Sequence, residues 1–281
     1  MKKITKAIAL LQNRPNLFLK RLVAEIRGFG AIPNHPVQKR INGILFEFYF
    51  SYGNVIRDMF LDKYEILTVA MMKKTLHSGD TFIDVGANIG YLSAVGAGLV
   101  GKSGEVHSFE PVPEYFQRAK KMATINPDYK IIINQLALGE IEGMTQIDIF
   151  GNGNIGWNTM VPRFMKPETR KQAINVSVRR LDNYIKEHNL KNITLIKVDV
   201  EGFEFSVLKG LKDFLTETKQ KPTILCENNP QVCPLLGYHL KEFFDYMKGF
   251  GYMSYNYLNY KRLEWSDMKE IGNILFIPSG S

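Results

Sequence analysis

The sequence predicts a doubly wound α/β fold on a mostly parallel sheet, preceded by a basic N-terminal helical extension. Three observations predict it. From Gly79 onward, short apolar runs alternate with helical stretches. A glycine-containing turn, Asp84 to Gly90, falls where the first apolar run meets the first helix. A chain of 281 residues, 45% hydrophobic, can also cover both faces of a sheet.

Residues 1–40 hold Lys2, Lys3, Lys6, Arg14, Lys20, Arg21, Arg27, Lys39 and Arg40 against Glu25 alone, which accounts for the whole formal net charge of +8. The basicity is therefore local and the remainder is formally neutral. Phe18, Leu19, Leu22, Val23 and Ile26 recur at helical spacing with Lys20, Arg21 and Arg27 between them. Such a helix either makes peripheral contact with an anionic membrane surface or packs on the main domain with its basic side in water. No apolar run reaches the roughly 18 residues of a spanning helix, and Ala7 to Leu11 is too short for a signal-peptide core, so a cytoplasmic protein is expected. Cys226 and Cys233 lack zinc-site spacing and are too few to staple the fold, which predicts reduced core thiols.

Pro33, His35 and Pro36 mark a break. Residues 37–77 read as a connector with a strand-like run at Ile44 to Phe50 and an amphipathic helix over Asp62 to Lys74. The extension thus covers 1–77 and the main domain 78–281. Within that domain strands are predicted at 81–85, 105–109, 130–138, 145–150, 174–178, 193–198, 223–227, 252–257 and 274–277. Helices are predicted at 89–100, at 113–125 behind Pro113, from Leu181, and from His239, which reads as a capping or surface group. The aromatic run Tyr252, Tyr255, Tyr257, Tyr260 and Trp265 reads as core packing, and His107 as structural. The Gly/Asn-rich stretch 151–172 reads either as an active-site lid or as a solvated excursion.

The turn Asp84-Val85-Gly86-Ala87-Asn88-Ile89-Gly90 carries the chemistry. Gly86 permits a tight turn and close approach of a ligand, Asn88 tolerates left-handed backbone, and Gly90 allows close helix packing. A dinucleotide fingerprint would place glycine where Asp84 stands. A carboxylate there repels a pyrophosphate but suits the cationic amino-acid end of S-adenosylmethionine. Glu110, following the second strand and 20 residues beyond Gly90, is placed to accept ribose hydroxyls.

The stretches Phe82 to Tyr91, Phe109-Glu110-Pro111 and Ile196-Lys197-Val198-Asp199-Val200-Glu201-Gly202-Phe203-Glu204 resemble the FkbM family of class I S-adenosylmethionine-dependent methyltransferases. The resemblance covers roughly residues 64–227. It implies a seven-stranded sheet with a reversed last strand, here 274–277. It also implies O-methylation, commonly of sugars or hydroxylated natural products.

Methyl transfer requires aligned donor and acceptor and a base facing the methyl group. Lys197, Asp199 and Glu201 alternate at the end of a strand and are expected to share one face beside the glycine turn. Asp199 and Glu201 are the base candidates. Lys197 either tunes them, orients the hydroxyl, or is itself the base if desolvation lowers its pKa. The alternative for this cluster is a salt-bridged strand end in which Glu201 or Glu204, helped by Gly202, caps the following helix. Asp199 with Glu227-Asn228 is similar in placement to the Mg²⁺ ligands of catechol-type O-methyltransferases, although the family resemblance does not demand a metal and none is assigned.

The expectation is O-methylation of a sugar, glycan or glycosylated metabolite. The alternatives are a lipid or polyketide hydroxyl, and a nucleic-acid-binding methyltransferase using the basic N-terminus. The neutral main domain argues against nucleic acid.

Overall fold

The computed structural model describes residues 35–50, 53–150 and 170–280. The predicted basic helix, and the stretch 151–172 apart from its last three residues, lie outside them. The first elements are β1 (Val37–Ile41), β2 (Ile44–Phe48), α1 (Asn54–Phe60) and α2 (Ile66–Thr75). They are followed by β3 (Thr81–Val85), α3 (Tyr91–Val100), β4 (Glu105–Phe109), α4 (Pro113–Thr124), β5 (Lys130–Asn134), β6 (Ala137–Leu138), β7 (Gly143–Phe150) and β8 (Arg170–Arg179). The last are α5 (Leu181–Glu187), β9 (Ile193–Val198), α6 (Glu204–Lys209), α7 (Lys212–Glu217), β10 (Thr223–Asn228), α8 (Leu240–Gly249), β11 (Tyr252–Asn256) and β12 (Gly272–Pro278).

Seven strands form the central sheet in the order β11-β12-β10-β9-β3-β4-β5. β12 runs antiparallel to both neighbours, so the reversed strand is the one anticipated at 274–277. The chain leaves β3 for β4 on one side and returns to β9 on the other, which puts the switch point of the doubly wound sheet between β3 and β9. Every residue of β3 is buried, as a central parallel strand covered on both faces requires.

Two apolar layers flank the sheet. One face carries Leu181, Tyr184, Phe205, Leu208, Phe243 and Met247 from α5, α6 and α8. The other carries Leu92 and Val95 of α3 together with Ile44, Phe46, Phe48, Ile56, Met59 and Met72. The residues read as a connector therefore supply a large part of one core.

Three details depart from the sequence reading. The run 130–138 is two strands, and β6 leaves the central sheet to join a smaller one of order β6-β8-β7; Gln135 and Leu136 break the pairing between them. The helix expected from Asp62 begins at Ile66, because Asp62 and Glu65 adopt left-handed backbone. The hairpin β1–β2 and α1 were not foreseen as such. Its Asn42-Gly43 turn has positive φ at both residues (46° and 92°), the two-residue hairpin signature, and was legible in the sequence. Asn126 fixes the hairpin to the end of α4 by accepting from Leu45 N and donating to Leu45 O, both at 2.8 Å.

Candidate active site

A cavity of about 280 Å³ opens over the carboxyl ends of β3, β4 and β9. Its floor is the glycine turn. Gly86 has φ 81°, and a Cβ there would stand 1.9 Å from the Asp199 carbonyl oxygen, so backbone from β9 passes directly over it. Gly86 N and Ala87 N both donate to Phe109 O at 3.0 Å, tying the turn to β4. Asn88 takes the left-handed conformation (φ 53°), and Gly90 (φ 85°) lies against Ala119 of α4.

Strand register explains which side chains meet. Asp84 pairs with Lys197 across β3 and β9, and Lys197 with Leu225 across β9 and β10. Side chains alternate along each strand, so Asp84, Lys197 and Glu227 face one side. Asp84 is fully buried; its Oδ2 accepts from Ser93 Oγ at 2.6 Å, and Ser93 Oγ accepts in turn from Ser108 Oγ at 2.9 Å. Asp84 Oδ1 has no hydrogen-bond partner, and Lys197 Nζ stands 3.8 Å away. Lys197 Nζ is 3.0 Å from Asp199 Oδ2. Against the desolvation that burial imposes, the Asp199 and Asp84 carboxylates hold this ammonium well above its ordinary pKa. The condition on which Lys197 could be a neutral base, a pKa lowered by desolvation, is not met: Asp199, two residues on, and Asp84, brought in by strand pairing, keep it charged.

Asp199 and Glu201 lie just past β9 rather than along it. Glu201 reaches the cluster because it takes left-handed backbone (φ 54°) ahead of Gly202. Carboxylate oxygens of Asp199, Glu201 and Glu227 all lie within 4.8 Å of one another. Burial, then the Asp199 charge, push Glu201 up to about 8; burial, then Asp199 and Glu201, push Glu227 up to about 9. Asn228 does not join them. It is buried on the opposite face, with its Oδ1 3.9 Å from Cys233 Sγ, so the Asp199, Glu227 and Asn228 trio is not assembled. Strand alternation forbids adjacent residues of β10 from facing the same way. Glu204 does not cap α6 as the sequence reading offered: Phe203 stands at the N-cap without a side-chain bond, and Glu204 Oε1 instead braces the preceding turn by accepting from Val200 N and Gly202 N. His239 caps α8, and Cys226 and Cys233 are free, buried thiols.

Glu110 is buried, with Oε2 accepting from Asn88 N and Oε1 from Val112 N, both at 2.8 Å. Burial raises it to about 7 despite those two donors. The pair of N–H groups locks the carboxylate while each oxygen keeps a second lone pair for a ligand hydroxyl.

A family model described as the methyltransferase FkbM domain matches residues 84–254, more than half of the chain. The chain belongs to the FkbM methyltransferase family. Methyltransferase 1 of Beauveria bassiana (strain ARSEF 2860) is 29% identical over 152 residues, 48% of this chain and 59% of that protein. Protein-L-isoaspartate O-methyltransferase 2 of Archaeoglobus fulgidus is 49% identical over 45 residues, 16% of this chain and 20% of that protein. The chain thus spans less than two thirds of either relative. Among solved structures, FkbM methyltransferase of Methylobacillus flagellatus KT aligns with TM-score 0.44 at 16% identity, over 79% of this chain and 54% of that one. Aeropyrum pernix fibrillarin with natively bound S-adenosyl-L-methionine aligns with TM-score 0.43 at 11% identity, over 89% and 85%.

The cofactor is S-adenosylmethionine, and the residues of this FkbM cavity fit it. Buried Asp84 Oδ1 is an acceptor awaiting an ammonium, and Glu110 offers acceptors for the ribose. Among the described lining residues Lys197 is the one cation, against the acids Glu65, Asp84, Glu110, Asp199, Glu201 and Glu227. That excess of acids over the one cation supplies acceptors for an ammonium and disfavours a pyrophosphate. Phe109, Val112, Leu136, Leu138 and Ile147 give an apolar wall for a flat base. The sequence reading missed this wall, and it missed Val55, Met59, Tyr64 and Glu65, which line the opposite side. No local motif marks them; they reach the cavity through the packing of β1, β2 and α2 on α3.

Proposed function

We propose that this chain transfers the methyl group of S-adenosylmethionine to a hydroxyl of a sugar, glycan or glycosylated metabolite. The observation that carries the reading is the set of three carboxylates, Asp199, Glu201 and Glu227, gathered within 4.8 Å at the cavity end where Lys197 lies. Carboxylates are acceptors for hydroxyl protons, and several together suit a polyhydroxylated acceptor.

When bound, S-adenosylmethionine supplies an electrophilic methyl on a sulfonium. The chain's own work is then to hold the acceptor and remove its proton. Glu201, at about 8, has the basicity a general base needs near neutral pH, and it takes the hydroxyl proton. Asp199, bonded to Lys197, orients the acceptor. Asp84 and Glu110 hold the two ends of the cofactor. No metal enters this scheme.

No helix among the described residues is long and apolar enough to cross a membrane. Residues 1–40 supply the charge for peripheral contact with an anionic surface. The test of the reaction is release of S-adenosylhomocysteine on incubation with panels of glycans, lipid hydroxyls and RNA, at low and high salt. Salt-insensitive turnover on a neutral glycan is the expected result, and turnover confined to lipid or RNA defeats the acceptor assignment.

A further inference from the structure

Tyr64 belongs to no sequence motif described above, yet it lines the cavity. Asp62 (φ 55°) and Glu65 (φ 50°) stand on either side of it in left-handed backbone, which turns the chain sharply there. Its ring meets Tyr91 edge-on at 5.6 Å; Tyr91 meets Phe46 at 6.1 Å, and Phe46 packs on Phe48 at 4.9 Å. An aromatic row therefore runs from the β1–β2 hairpin to the cavity and fixes where Tyr64 stands. Its hydroxyl is within electrostatic reach of Lys197, Glu65, Asp199 and Asp84, with Lys197 acting most strongly. Burial holds the phenol proton far above its ordinary pKa, against the pull of Lys197, so Tyr64 is a neutral O–H donor throughout the working range.

The amino-acid end of S-adenosylmethionine presents an ammonium and a carboxylate. The ammonium has Asp84 Oδ1, but the carboxylate must find donors in a cavity whose described charged lining residues are acids apart from Lys197. A carboxylate placed beside Asp84 and Asp199 without such donors would be expelled. Tyr64 supplies a second donor next to that single cation. We propose that Tyr64 is a cofactor-binding residue whose O–H, together with the Lys197 ammonium, holds the carboxylate of the S-adenosylmethionine amino-acid end. The inference rests on the cofactor assignment. It gives the hairpin and α1 a function, since they set the donor in place.

The test is calorimetric binding of S-adenosylhomocysteine and of its decarboxylated analogue, which keeps the amine, to wild-type protein and to Tyr64→Phe. The substitution removes one oxygen and preserves the aromatic row. For wild type the analogue should bind more weakly than S-adenosylhomocysteine. Tyr64→Phe should weaken S-adenosylhomocysteine about tenfold and change the analogue by less than about twofold, because a hydrogen bond to a charged group is lost only where the charge is present. Equal weakening of both ligands would assign Tyr64 to the wall alone and overturn the proposal. Unchanged affinity for both would also overturn it while leaving the cofactor assignment standing. Wild-type protein that bound neither ligand would remove the cofactor site itself, and the proposal with it.

Discussion

At the scale of single residues, the cavity and its edge gather carboxyl groups whose surroundings differ. Glu110 is gripped by two backbone N–H groups, Asp84 by Ser93, Asp199 by Lys197, while Glu201 and Glu227 crowd one another. Replacing Glu110 by Ala should weaken S-adenosylhomocysteine binding by roughly tenfold or more through loss of charged acceptors for the ribose, as read by calorimetry. Asp199→Asn should lower turnover by roughly a hundredfold and leave cofactor affinity nearly unchanged; the split between kcat and Kd checks it. Since Glu201 must be ionised to accept a proton, the wild-type rate should climb with pH and level off above about 8. A Glu201→Gln variant should lose that rise along with most of its rate. Turnover should be indifferent to chelator; restoration of a chelator-lost rate by Mg²⁺ would recast Asp199, Glu201 and Glu227 as ligands.

Elements decide whether those residues meet. The short span from β3 to α3 works because Gly86 leaves room for the Asp199 carbonyl, a contact that any side chain at 86 would destroy. Likewise the hairpin is useful only because it is pinned: Asn126 satisfies both backbone groups of Leu45 as a neighbouring strand would. Asn126→Ala leaves a donor and an acceptor without that partner and should cost about 1–3 kcal/mol by denaturant melts. Because Phe46 carries Tyr91 and Tyr91 carries Tyr64, the same variant should also weaken S-adenosylhomocysteine binding.

For the whole molecule the dominant electrostatic fact is a concentration of buried and half-buried acids in and beside one cavity. Glu110 and Glu204 sit at about 7, Glu201 at about 8 and Glu227 at about 9, all raised chiefly by burial from an ordinary 4.5. Groups whose folded pKa lies above the unfolded value favour the native state when protonated. That contribution is complete below about 4.5, shrinks as pH rises, and is gone once pH passes through about 7 to 9. The melting temperature should therefore fall between about pH 5 and pH 9, by roughly 5 °C or more for a protein of this size. Glu227→Gln should flatten that fall, and a melting temperature constant across the interval would contradict the burial of these acids.

By itself the sequence determined the layered α/β architecture and the turn from Asp84 to Gly90, because each depends on short-range patterns: apolar periodicity, glycine placement and the residue type ending a strand; the reversal of strand 274–277 followed from the family resemblance. It also placed Glu110, Asp199 and Glu201 at the carboxyl edge, since that edge follows from strand ends alone. Only the tertiary structure decided that Lys197 stays charged between Asp84 and Asp199, that Glu227 joins the cluster while Asn228 turns away, and that Tyr64 closes the opposite wall. Those outcomes depend on strand register and on packing between segments far apart in the chain. A local window contains neither the partners nor the burial that fix the charge of a side chain.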